Sequence, residues 1–96
     1  MTIQEVKEKV TPVLEQYGIE YAAVFGSVAR GEDTPDSDVD ILVRLGRPTG
    51  MIDYMRLIDG LEQTLDKKVD LVTEQSLNKF IRPYVTPDLK TIYEKR

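Results

Sequence analysis

Three aspartates are the residues of this chain whose type and spacing point to chemistry. Asp38 and Asp40 stand two residues apart, where a polar loop leads into the apolar run Ile41–Val43. Side chains two apart on a strand point to the same face, so we expect both carboxylates to project together. Asp70 lies in another predicted strand, KVDLV, and reaches the same face if that strand pairs beside the first. Like charges this close repel each other, whereas a divalent cation makes them favourable ligands.

The residue types that the chain lacks make carboxylates the centre of any chemistry. Its 96 residues include no histidine and no cysteine. This excludes imidazole and thiolate metal sites, disulfides and a Ser-His-Asp triad. Carboxylates favour hard cations, Mg²⁺ first and Mn²⁺ as an alternative. Three carboxylates on adjacent strands predict a two-cation site, with the ions about 4 Å apart.

A Gly-Ser step before the aspartates predicts a complementary anion site. Gly26 permits a tight turn and the close approach of a ligand. Ser27 offers a hydroxyl donor, and the backbone N–H groups after it are expected to open a helical turn. Together with cations on Asp38 and Asp40, this pattern indicates a nucleoside triphosphate with magnesium.

Several neighbouring residues have a structural interpretation beside the functional one. Arg30 either adds a charge-assisted contact to phosphate or pairs on the surface with Glu32 or Asp33. Ser37 is expected to cap a local turn rather than to bind a ligand. Glu32, Asp33 and Asp36 are expected to form a solvated acidic loop.

Alternating helical and strand patterns predict one α/β domain spanning residues 1–96. A capping box at Thr2 and Glu5 begins the first helix, and Gly18 is expected to end it. Strands are predicted at 21–25, 38–45, 68–73 and 91–93, and further helices at 51–65 and 76–84. The helix at 51–65 has an apolar stripe expected to be core: Met51, Tyr54, Met55, Ile58, Leu61 and Leu65.

Composition excludes several classes of function. A net charge of −4 argues against nonspecific binding of nucleic acid, which needs a basic surface. The chain has no apolar run of about 18 residues, so no membrane span is expected. Its first ten residues are too charged for a signal peptide. We therefore expect a cytoplasmic protein that contacts neither nucleic acid nor membrane directly.

The Gly-Ser turn and the Asp-x-Asp strand together resemble the signature of the minimal nucleotidyltransferases (MNT), within the DNA polymerase β-like nucleotidyltransferase superfamily. The pattern is carried by GSxxRGE at 26–32 and SDxDIL at 37–42. The resemblance covers nearly the whole chain and implies an α/β (α+β) nucleotidyltransferase fold with a small mixed sheet. It implies that Asp38 and Asp40 bind both metals and that Asp70 completes the site and helps to activate the acceptor hydroxyl. Gly26 and Ser27 would hold the triphosphate.

The resemblance also implies a biological role. Short proteins of this family act as antitoxins beside a HEPN-domain toxin with ribonuclease character. They transfer AMP from ATP to a tyrosine hydroxyl of the toxin, so a hetero-oligomer is expected, with contacts at helix 51–65 and the tail 84–93.

Two alternatives stay open at this stage. One is a non-catalytic antitoxin that masks its toxin by binding. The other is a small-molecule, antibiotic-type nucleotidyltransferase, although such enzymes generally carry an extra acceptor domain for which this chain has no residues to spare.

Overall fold

The computed structural model describes residues 1–76 and 86–95 of the chain. The described helices are α1 (Ile3–Gln16), α2 (Gly26–Arg30) and α3 (Met51–Leu65), and the strands are β1 (Ile19–Phe25), β2 (Val39–Leu45), β3 (Val69–Thr73) and β4 (Lys90–Glu94). Single 3-10 turns span Glu74–Ser76 and Thr86–Asp88. The helix predicted at 76–84 lies outside the described residues, apart from Ser76.

Four strands form one mixed sheet in the order β3-β2-β1-β4. β1 pairs antiparallel with both β2 and β4, and β2 pairs parallel with β3. Parallel neighbours need a long connection, and α3 supplies it between β2 and β3. The short edge strand predicted at 91–93 is confirmed as β4.

Helix α1 begins and ends where the sequence predicted. The Glu5 N–H donates to Thr2 Oγ1 at 3.1 Å, and the Thr2 N–H donates back to Glu5 Oε1 at 3.3 Å. This reciprocal pair is the predicted capping box. Gly18 follows the helix with φ +68, a conformation that glycine adopts without strain.

The core lies between one face of the sheet and the helices. Alternate residues of β2, Val39, Ile41 and Val43, are fully buried in it. From α3, the buried side chains are Leu57, Leu61 and Leu65.

Two residues of α3 were wrongly predicted to be core. Met51 and Met55 are 75% and 52% exposed. The buried stripe repeats at four-residue spacing through Leu57, Leu61 and Leu65, and both methionines lie beside that stripe around the helix. No helix within residues 1–76 and 86–95 has the length and apolar character that crossing a bilayer requires.

The outer edge of β3 is occupied by side chains of the same chain. Lys68 O accepts the Val39 N–H from β2, so residues 69, 71 and 73 turn their backbone groups outward. The Val69 N–H donates to Glu62 Oε2 at 2.9 Å, and Tyr54 OH donates to Leu71 O at 2.8 Å. These bonds satisfy polar groups that an edge strand otherwise leaves open.

Leu61→Ala should lower the free energy of unfolding by about 2–4 kcal/mol, because it leaves a cavity under the sheet. Urea unfolding measures this loss. Gln63→Ala, at an exposed position of the same helix, is the matched control and should change stability by less than about 0.5 kcal/mol. Equal effects for the two variants would contradict the placement of α3.

Candidate active site

Parallel pairing of β2 with β3 brings two of the predicted site carboxylates together. Asp40 is the register partner of Asp70. Their neighbours Val39, Ile41 and Leu71 point into the core, so both aspartates project from the opposite face of the sheet. From the sequence, we expected Asp70 to reach the face of Asp40 only if the two strands pair. That pairing is confirmed.

Asp38 lies one residue before β2, at the end of the preceding loop. Its side chain is exposed, and its negative charge acts on Asp40. In the part of the chain that the structure describes, no three acidic side chains converge closely enough to form a ready-made metal cage. The predicted ligands Asp38, Asp40 and Asp70 are therefore neighbours, with Asp40 and Asp70 the paired members, and their common role in binding cations stays a prediction.

Burial and nearby negative charge change the pKa of Asp40. Burial, followed by the negative charges of Asp70 and then Asp38, raises the pKa of its carboxyl to about 6. Arg30 opposes this shift weakly. A raised pKa means that ionised Asp40 is unfavourable without a compensating cation. Oxygen donors of this kind fit Mg²⁺ or Mn²⁺.

Gly26 leaves the space that the Asp40 carboxylate occupies. Phe25, the last residue of β1, is the register partner of Asp40, so the chain turns into α2 directly beside it. A Cβ on Gly26 would overlap Asp40 Oδ2, and its φ of +73 already disfavours other residues. Glycine is therefore required at 26 both for the turn and for the approach of the carboxylate.

The predicted helical turn after the Gly-Ser step is α2. Gly26 and Ser27 are its first residues, and Ser27 is half-buried. No side chain of the described residues caps this helix. The N–H groups of a first helical turn have no partner within the helix, so an anion can accept from them. Such an anion would lie next to Asp40.

Arg30 is engaged in two ion pairs on the surface. Its Nε lies 3.1 Å from Glu32 Oε2 and its second nitrogen 2.9 Å from Asp88 Oδ2. Bonds to Glu32 and then Asp88 raise the pKa of the guanidinium. The surface pairing with Glu32 was one of the two predicted interpretations. Asp88 was missed, since nothing local connects residues 58 apart.

The loop between α2 and β2 is less solvated than predicted. Asp33 is 11% exposed and pairs with the Met1 ammonium at 3.0 Å, so the prediction of a solvated side chain was wrong for this residue. That ion pair lowers the pKa of Asp33. The predicted local role of Ser37 is confirmed, because its Oγ accepts the Thr34 N–H at 2.8 Å.

Tyr54 is a residue near the site that the sequence did not reveal as such. Burial, followed by the charge of Asp70, raises the pKa of its hydroxyl. The hydroxyl is already bonded to Leu71 O, the residue after Asp70. The helical spacing of Tyr54 predicted a core position. It did not indicate that the hydroxyl is influenced by the charge of Asp70.

Known proteins resemble this chain in both sequence and fold. Residues 8–96 match the family model described as Polymerase beta, Nucleotidyltransferase. The protein adenylyltransferase MntA of Thermococcus cleftensis is 36% identical over 85 residues, covering 84% of this chain and 86% of that protein.

Two solved structures are similar in fold. A toxin-antitoxin with AMP-PNP superposes with a TM-score of 0.79 at 25% identity, over 94% of this chain and 74% of that one. The tri-AMPylated HEPN toxin of Shewanella oneidensis in complex with MNT antitoxin gives a TM-score of 0.74 at 23% identity, over 98% and 74% of the two chains.

Asp40→Asn should stabilise the cation-free protein at neutral pH. The raised pKa of Asp40 makes its ionised form unfavourable, a cost that is absent below about pH 4 and complete above about pH 6. In EDTA at pH 7.5 we expect the variant to be more stable by about 1 kcal/mol, after allowing for solvent screening.

Urea unfolding of both proteins at pH 7.5 and pH 4.5 measures this difference, which should be clearly smaller at the lower pH. Adding Mg²⁺ at pH 7.5 should stabilise the wild type more than the variant. A variant less stable than the wild type at pH 7.5 in EDTA would contradict the crowding of charge at Asp40.

Gly26→Ala should destabilise the fold more than Gly31→Ala. Both glycines have nearly the same positive φ, +73 and +72, so both substitutions carry the same backbone cost. At Gly31 a Cβ meets no atom within 4 Å, whereas at Gly26 it meets Asp40 Oδ2. Chemical unfolding should show at least about 1 kcal/mol of additional loss for Gly26→Ala. Equal losses would mean that the Asp40 side chain yields to the added methyl group without a cost in stability, contrary to this expectation.

Proposed function

The chain belongs to the Polymerase beta nucleotidyltransferase family, and we propose that it transfers AMP from ATP to a tyrosine hydroxyl of a HEPN-domain toxin, acting as its antitoxin. The observation that carries this proposal is the pairing of Asp40 with Asp70 directly beside the Gly26-Ser27 turn. A relative named as a protein adenylyltransferase and a neighbouring structure with an AMPylated HEPN toxin support the same reaction.

In the proposed reaction, an acceptor hydroxyl oxygen attacks the α-phosphorus of ATP. The new oxygen–phosphorus bond forms as the bond from the α-phosphorus to the bridging oxygen breaks, and pyrophosphate leaves. Asp70, exposed at the site, accepts the hydroxyl proton and orients the acceptor. An unperturbed tyrosine has a pKa of about 10, so its hydroxyl needs only modest activation.

The triphosphate is held by the start of α2. The N–H groups of Gly26 and Ser27 and the Ser27 hydroxyl donate to phosphate oxygens. Arg30 can add a charge-assisted contact once it leaves its pairs with Glu32 and Asp88. A neighbouring structure with AMP-PNP supports ATP as the donor.

The carboxylates provide the positions for divalent cations. Asp38 and Asp40 would hold two Mg²⁺ ions, with Asp70 completing the set and Mn²⁺ as an alternative metal. Cations bound there lower the pKa of an acceptor hydroxyl and neutralise charge on departing pyrophosphate. The raised pKa of Asp40 in the metal-free chain supports a site built for positive charge.

A partner protein also explains the exposed apolar side chains of α3. Met51, Ile52 and Met55 are 75%, 69% and 52% exposed on neighbouring turns of one helix. Apolar patches of this kind mark protein contacts, and methionine adapts well to a partner surface. The tail suggested as a second contact is less suited to it, since Tyr93 packs partly against the core and Tyr84 lies outside the described residues.

Co-expression with a HEPN-domain toxin tests the reaction. The intact mass of the toxin should increase by one or more AMP units. Asp40→Asn and Asp70→Asn should each reduce the transfer by at least about 100-fold, because the charge stabilisation of the transition state is lost. Asp59→Asn, which removes an exposed carboxylate of α3, is the matched control and should transfer AMP normally. Unchanged transfer by a folded Asp40→Asn protein would refute the assignment.

Neutralisation by masking is the second candidate, and the exposed apolar face of α3 favours it. Growth assays with the same variants separate the two functions. Catalysis predicts that Asp40→Asn no longer protects cells from the toxin, whereas masking predicts that it still does.

A further inference from the structure

The loop that carries Asp38 is shaped by its own residues. The Thr34 N–H donates to Ser37 Oγ at 2.8 Å, and the Ser37 N–H donates to Thr34 O at 3.0 Å. These bonds close a turn over residues 34–37. They do not attach the turn to the sheet, and Asp38 follows the turn directly.

Lys67 attaches this turn to the segment that leads into β3. Its ammonium donates to Pro35 O at 3.1 Å and to Thr34 O at 3.3 Å. The two acceptors are consecutive backbone carbonyls, so Lys67 is bonded to the backbone of the loop rather than to its side chains. An ammonium has three donors, and two of them are used in this way.

The position of Lys67 connects the loop to the strand that carries Asp70. Lys67 lies between the end of α3 and the start of β3, two residues before Val69. The next residue, Lys68, accepts the Val39 N–H through its carbonyl at 2.9 Å. The Lys67 side chain and the Lys68 backbone therefore join the same two segments, one leading to Asp38 and the other to Asp70.

We propose that Lys67 is a positioning residue, which holds the 34–37 turn so that Asp38 is presented to the cation site of Asp40 and Asp70. This inference rests on the proposed function, because it concerns the metal site of that reaction. Asp38 is the member of the set that lies outside the strands, so its position depends most on the loop. Groups that orient metal ligands commonly affect metal affinity by about 10- to 100-fold.

The sign of the effect separates this role from simple electrostatics. Lys67→Met keeps much of the side-chain length but removes the donors and one positive charge. Loss of a positive charge near an acidic site should by itself strengthen cation binding. Weaker binding by the variant therefore requires a displaced ligand.

Mn²⁺ titration of the full chain, followed by the EPR signal of the free ion, is the test. Lys67→Met should bind Mn²⁺ about 10-fold more weakly than the wild type. Lys67→Arg, which keeps a cationic donor, should restore the affinity to within about 3-fold. Lys68→Met is the matched control, with the same loss of charge at the adjacent exposed side chain, and should bind Mn²⁺ as tightly as the wild type or more tightly. Circular dichroism verifies that each variant is folded, and Lys67→Gln replaces Lys67→Met if the latter is not.

Binding by folded Lys67→Met that equals or exceeds that of the wild type would overturn the proposal, as would a wild type that binds no Mn²⁺. A failure of the proposed function looks different. In that case the toxin gains no AMP from the wild-type protein, while the order of Mn²⁺ affinities among the variants is unaffected.

Discussion

Mutual repulsion between two carboxylates in register is the constraint on which the rest of this structure depends. Asp40 and Asp70 lie side by side because β2 and β3 pair in register, and burial together with the charge of Asp70 makes the ionised state of Asp40 unfavourable. A fold that keeps such a pair must stabilise it elsewhere, and the fully buried side chains under the strands do so. A divalent cation would turn the same repulsion into an attraction, because closely spaced carboxylates are favourable ligands for it.

The backbone around Asp40 leaves space for its carboxylate. Gly26 provides room for Asp40 where any other residue would displace it, and α2 begins at the same point with its first N–H groups uncapped by the described side chains. The paired carboxylates and the first N–H groups of α2 therefore lie at one corner of the sheet. Arg30 is held nearby by its ion pairs with Glu32 and Asp88.

Local patterns in the sequence predicted most elements, because capping, periodicity and turn chemistry act between residues close in the chain. The start of α1, the extent of α3 and the strands leading to Asp40 and Asp70 follow from such patterns. Contacts across long separations could not be predicted in this way. The pairing of Arg30 with Asp88 and the grip of Lys67 on its loop depend on how elements pack. The exposure of Met51 likewise depends on which side of α3 meets the sheet, and the apolar spacing does not decide this between adjacent stripes.

The side chains that occupy the outer margin of β3 have a consequence for assembly. Glu62 and Tyr54 use the backbone groups that an incoming extended segment would need, so a second molecule cannot easily continue the sheet from that side. Strand-by-strand self-association is thereby discouraged next to Asp40 and Asp70. A partner that binds at this edge must instead be recognised through its surface shape and side chains. A folded globular partner therefore fits this edge better than an unfolded peptide does.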